Sequence, residues 1–176
     1  ILQSMQAAGN PAFIKTIPKA ACPSTSQWNE FLSIESVTMI GYPSGLWDST
    51  NNRPLFRRGI TATGLSFDYE NKREFLIDIA TFPGSSGSPV FILDLGMYVD
   101  KIGNTNLGNS RIQFVGVVHS MMRRQEFGEV LPVPIPTQMG AVAQYDMALH
   151  LGVAVKSTAV WEIEADYAAR FPMPTP

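Results

Sequence analysis

The sequence predicts an all-β protein: one six-stranded antiparallel β-barrel followed by a C-terminal α-helix. Three observations carry this prediction. Six short β-rich runs lie along the chain, with glycine-rich corners between several of them. Glycines recur inside the runs, as a strongly curved sheet requires. A helical period occurs near the C-terminal end, and the strand–helix alternation of a parallel sheet is missing.

The elements follow in order. Residues 1–35 are weakly patterned, with a Ser/Thr/Pro-rich loop at 23–27, and read as a lead-in or linker. Ser36-Val37-Thr38-Met39-Ile40-Gly41-Tyr42 alternates and stops at Pro43, which defines the first strand. Residues 44–54 form a surface loop marked by Gly45, Asp48, Asn51, Asn52 and Pro54. The second strand covers 56–67, where Gly59 and Gly64 mark a bulge or bend. The third covers 73–81 and the fourth 89–95. Residues 96–110 are an exposed hairpin connection. The fifth strand covers 111–120, and a long loop is expected over 121–137, held extended by Pro132, Pro134 and Pro136. The sixth strand lies within 140–156, centred on 151–155.

A helix is expected over 158–170. Val160, Ile163, Tyr167 and Phe171 share one face, acidic residues sit early, Arg170 sits late, and Pro172 ends it. The domain reading is therefore a lead-in at 1–35, a barrel at 36–156, and a helix with its tail at 157–176.

Composition narrows the function classes. The chain has 176 residues, 45% apolar and 16% charged, enough for one core. A net charge of −2 gives no reason to expect nucleic acid or an anionic membrane as partner. The basic pairs Arg57-Arg58 and Arg123-Arg124 lack interleaved aromatics and read as solvated faces. Cys22 is the one cysteine, so an internal disulfide is impossible, and with His119 and His150 it makes no metal-ligand set. No cofactor is expected. No apolar run approaches the ~20 residues that span a bilayer. The opening residues do not form a basic-then-apolar leader, which with the lone cysteine favours a cytoplasmic location.

The chemistry concentrates in Phe82-Pro83-Gly84-Ser85-Ser86-Gly87-Ser88-Pro89, a small-residue turn between two strands. Glycines on both sides of Ser86 allow a sharp bend with N–H groups facing the space above a hydroxyl. A serine nucleophile needs such donors, because the oxyanion it creates must be met by preplaced N–H groups.

The stretch from Ile77 to Pro89 resembles the nucleophile segment of the chymotrypsin-like (trypsin-like) serine proteases. It is most similar to their bacterial, disulfide-free, HtrA-like branch, whose form is roughly D-x-x-x-x-P-G-N-S-G-G-P. The resemblance implies that Ser86 is the nucleophile and that the N–H groups of Gly84 and Ser86 form the oxyanion hole. It places Ala80 and Thr81 at the floor and wall of the substrate pocket. His119 and Ser120 fall on the strand that walls the same pocket. Val37–Pro43 and Phe114–Val118 are similar to family strands, so the likeness runs over 36–170. The family fold is two six-stranded barrels, and the second carries the nucleophile and a terminal helix.

Two residues depart from the pattern: Ser85 stands where the digestive enzymes have an aspartate, and Ser88 replaces a glycine. The general base is the larger gap. In the family a histidine and an aspartate precede the serine, whereas both histidines here follow Ser86. His119 as base is the weaker reading beside a pocket-lining role, His150 reads as a boundary residue, and Asp78 reads as a structural hydrogen-bonding residue. Without a carboxylate at 80–81, small or uncharged substrate side chains are expected.

The resulting expectation is the second barrel of a serine endopeptidase acting on peptide or protein substrates. It would be inactive alone, its first barrel coming from upstream sequence or another chain. The alternative is a non-catalytic, protease-like module that binds extended peptides. An esterase on another fold is disfavoured by the absence of strand–helix alternation.

Overall fold

Alternating burial builds the sheet. β1 (Ser36–Gly41) buries Val37, Met39 and Gly41 and leaves the residues between them partly open. A strand of this period places one face on a core and pairs its backbone sideways. The computed structural model, which describes residues 16–129 and 142–171, shows the pairing. After β1 come β2 (Leu55–Thr61), β3 (Glu74–Asp78), β4 (Pro89–Asp94), β5 (Met97–Val99), β6 (Thr105–Leu107), β7 (Arg111–Glu129) and β8 (Val142–Lys156). Six of them close an antiparallel barrel in the order β1-β2-β3-β8-β7-β4, while β5 and β6 pair as a separate hairpin. A single helical turn, α1 (Thr25–Trp28), precedes the barrel, and α2 (Ser157–Arg170) follows it.

The interior is apolar and branched. Val37, Met39, Phe75, Ile77, Val90, Ile92, Val115, Val118 and Ala154 fill it. Curvature brings backbones together at Gly116, where a Cβ would stand 2.3 Å from the Val155 carbonyl oxygen and 2.8 Å from the Phe75 ring. Trp28 and Phe31 belong to the same core and meet edge to face at 5.6 Å. The later part of the lead-in is thus packed on the barrel rather than strung before it. Its helical turn is held by a capping box between Ser24 and Gln27.

Three spans differ from the sequence reading, the third strand by ending at Asp78 rather than at 81. The second strand ends at Thr61 rather than at 67, because Leu76 donates its N–H to the Thr63 side chain instead of continuing the ladder. The fifth strand does not stop at 120. Residues 121–129 are strand, paired with 142–152 of β8. Met121-Met122-Arg123-Arg124 carries no apolar alternation, and partner pairing decides its conformation. The three prolines of the expected loop lie outside the described residues. The helix forms as expected, yet Ile163, Tyr167 and Phe171 remain 67%, 62% and 60% exposed, so their shared face is not a core face of the described barrel.

One charged cluster joins the lead-in to the barrel. The Arg111 guanidinium grips Glu35 with two parallel hydrogen bonds of 3.0 and 2.6 Å, and its Nε donates to Asp94 at 2.8 Å. Phe31 and Tyr98 lie against it, with ring centroids 5.5 and 5.0 Å from its central carbon. Burial works against the guanidinium charge, but the hydrogen bonds to Glu35 and Asp94 outweigh it, and its pKa stands above the ordinary value. Glu35 is buried and also accepts the Leu32 N–H at 2.8 Å. Removing the cation would leave two carboxylates facing each other at low exposure. Arg111→Met is therefore expected to lower the unfolding free energy by about 3–5 kcal/mol. Urea denaturation measures this; a loss below about 1 kcal/mol would show that the cluster is solvated in solution.

Candidate functional site

The turn after β3 is held from three directions. Within the turn, Ser85 donates its N–H to the Phe82 carbonyl at 2.9 Å, and its hydroxyl accepts the Phe82 N–H at 3.2 Å. Ser85 is 1% exposed, so its hydroxyl is spent inside the turn on this local bond. From β7, Val118 donates to the Ser88 carbonyl at 2.9 Å and accepts the Gly87 N–H at 2.7 Å. From the segment after β1, Ser44 donates to the Pro83 carbonyl at 2.7 Å. Gly84 and Gly87 take φ of +89° and +87°, where a side chain would strain the backbone.

Ser86 stands exposed at the top of this frame. The N–H groups of Gly84 and Ser86 find no acceptor among the described residues. Both residues line an open cleft of about 310 Å³, whose other walls include Tyr42, Pro54 and Pro89. A larger cleft of about 540 Å³ lies between the lead-in and the β5–β6 hairpin, around Phe31, Tyr98 and Arg111. Neither histidine nor cysteine lines it, and its Arg111 is committed to Glu35 and Asp94. The smaller cleft is the candidate site because the exposed hydroxyl and the open donors border it.

The structure brings His119 to the serine in an unexpected way. The Ser86 hydroxyl donates to the His119 backbone carbonyl at 3.0 Å, while the His119 imidazole Nε2 lies 3.3 Å from Glu74 Oε1. His119 occupies the bulge where β7–β8 pairing shifts between Val118 and Ser120. The hydroxyl is thus engaged by backbone rather than by a general base. Ser120 is half-buried and pairs with Val153 of β8. Ala80 is half-buried, and its carbonyl accepts a hydrogen bond from Arg57 Nη1. Thr81 is 1% exposed with its hydroxyl on the Ile79 carbonyl at 3.3 Å, so its side chain belongs to the barrel interior.

Two sequence expectations are corrected here. The Asp78 carboxylate is exposed and makes no hydrogen bond among the described residues, because its place at the end of β3 turns it outward. Arg57 is not part of a solvated pair; it is half-buried against Ala80 and Phe82, and only Arg58 of that pair is exposed. Sequence reasoning also missed the place of His150. Its φ is 59° and its ring meets Phe82 edge-on, with centroids 6.2 Å apart. Only the β3–β8 register, Asp78 opposite Leu151, brings this distant histidine beside the turn.

Among the described residues no group of three or more His, Cys, Asp or Glu side chains could hold a metal ion. Comparison with family models, curated proteins and solved structures returned no match to this chain. The fold and the turn therefore define the chain as a closed six-stranded antiparallel β-barrel with a C-terminal helix and an exposed serine at one rim.

Gly41 gives a direct test of the frame. A Cβ there would sit 1.9 Å from Ser88 Oγ, and Ser88 is buried. Gly41→Ala is expected to cost about 1–3 kcal/mol by overpacking, with Ser88→Gly restoring much of it in a double-mutant cycle. Independent, additive effects in urea titrations would show that the two residues are not in contact.

Proposed function

We propose that this barrel carries the nucleophile of a trypsin-like serine endopeptidase. In this reading Ser86 attacks the carbonyl carbon of a peptide bond, and the N–H groups of Gly84 and Ser86 take the charge that develops on its oxygen. The observation that carries the reading is the exposed serine between two left-handed glycines, with open donors at Gly84 and Ser86. Such donors, aimed where negative charge develops, provide a large share of acyl-transfer catalysis. The resemblance of Ile77–Pro89 to the protease segment supports the same roles, and the barrel with its terminal helix is the architecture that the resemblance implies.

A serine hydroxyl needs a base, and its proton here rests on a backbone carbonyl. A histidine and an aspartate from outside these residues would supply the base, from upstream sequence or another chain. Substrate binding would then turn the hydroxyl from the His119 carbonyl to that imidazole. The second reading, a protease-like module that binds extended peptides without cutting them, is favoured by the same hydrogen bond, since no imidazole reaches Ser86 within the described residues.

Covalent labelling with a fluorophosphonate separates the two. The 176-residue chain is expected to resist the probe. A longer form carrying the histidine and aspartate is expected to react at Ser86. In that form Ser86→Ala should lower kcat for peptide cleavage by about 10⁴–10⁶-fold. A longer form that binds peptide but neither reacts nor cleaves would establish the binding module instead.

A further inference from the structure

The Arg57 side chain reaches the segment leading into the Ser86 turn. β2 alternates, with Phe56, Arg58 and Ile60 exposed and Leu55, Arg57 and Gly59 partly covered. β2 pairs with β1 along its length up to Ile60, but with β3 only at Ile60 and Thr61. Beyond Asp78 the chain leaves β3, and the gap between it and β2 is spanned by the Arg57 side chain. Its Nη1 donates to the Ala80 carbonyl. Its guanidinium carbon lies 4.8 Å from the centroid of the Phe82 ring, which also meets the His150 ring edge-on. No carboxylate pairs with Arg57 among the described residues.

Phe82 is also the residue on which the turn closes, since both its N–H and its carbonyl bond to Ser85. Holding Ala80 and Phe82 therefore sets where the Ser85–Ser86 peptide stands. We propose that Arg57 is a positioning residue for the nucleophile, acting through Ala80 and Phe82 to keep the Gly84 and Ser86 donors and the Ser86 hydroxyl in one arrangement. This rests on Ser86 being the nucleophile. The role needs a group that donates to the Ala80 carbonyl while its charge lies over the Phe82 ring, and a lysine ammonium, a compact point charge without the guanidinium's rigid donor fork, does not reproduce it.

The test uses the complete, serine-reactive protein and the variants Arg57→Met, Arg57→Lys and Arg57→Ala. Arg57→Met and Arg57→Lys are expected to lower kcat about 10–100-fold with KM within about two-fold, as misplacement of a reacting group does. Added ethylguanidinium should restore part of the Arg57→Ala loss, a recovery that a general loss of folding would not show. In ¹H–¹⁵N spectra, the amides of Phe82, Gly84 and Ser86 should move in Arg57→Met while those of Tyr98 and Asn106 stay. Wild-type kcat in Arg57→Met, or unmoved turn amides, would overturn the proposal. If the wild-type protein shows no Ser86 reactivity, the catalytic reading fails by itself, and the turn amides alone then decide whether Arg57 positions this segment.

Discussion

The site depends on two hydrogen bonds between Val118 and the residues on either side of the Gly87–Ser88 peptide. They prolong the β4–β7 ladder past its last paired residues, Pro89 and Val117, into the turn itself. A loop of small residues and prolines has little apolar surface of its own to hold it. Bonded to β7, it takes on the order of the barrel wall. The same alignment puts the next carbonyl of β7, that of His119, 3.0 Å from the Ser86 hydroxyl. Burial completes the frame: Ser85 and Ser88 on either side are 1% and 5% exposed, while Ser86 between them is exposed. Three serines within four positions thus have separate tasks. Two close the turn inward and one faces solvent.

This division has a chemical consequence. A hydroxyl that donates to a backbone carbonyl is oriented but not activated, because an amide oxygen is far too weak a base to take its proton. In the proposed reading, the barrel would provide the part of acyl-transfer chemistry that backbone geometry can supply: an exposed hydroxyl beside open N–H donors. What it lacks among the described residues is the part that needs an imidazole at the serine. The His119 ring lies toward Glu74 on the neighbouring wall, and the His150 ring lies against Phe82. Both histidines border the Ser86 turn, and neither ring hydrogen-bonds the hydroxyl.

Much of the barrel was legible because its strands are short, β-rich and punctuated. β1 and β4 fall within a residue of the limits set by Pro43 and Pro89. The turn was legible for a related reason: two glycines and two prolines around a serine leave the backbone few options. The rest was hidden where long-range pairing decides. Residues 121–129 are polar enough to read as loop, yet β8 makes them strand. Trp28 and Phe31 lie in a stretch without period, so their burial could not be read from spacing. Arg57 looked like half of a solvated pair, and nothing local marks Ala80, 23 positions away, as its partner.

By itself the sequence determined the strand alternation, the bend around Ser86 and the absence of an upstream histidine within this chain, because each is a property of neighbouring residues. Tertiary structure alone decided which carbonyl the Ser86 hydroxyl meets, where both imidazoles lie, and which cation meets Ala80 and Phe82. Those contacts join β2, β3, β7 and β8 across the barrel, and their geometry follows from strand register and curvature. A local pattern carries neither, because register is set by how all six strands close on one shared core.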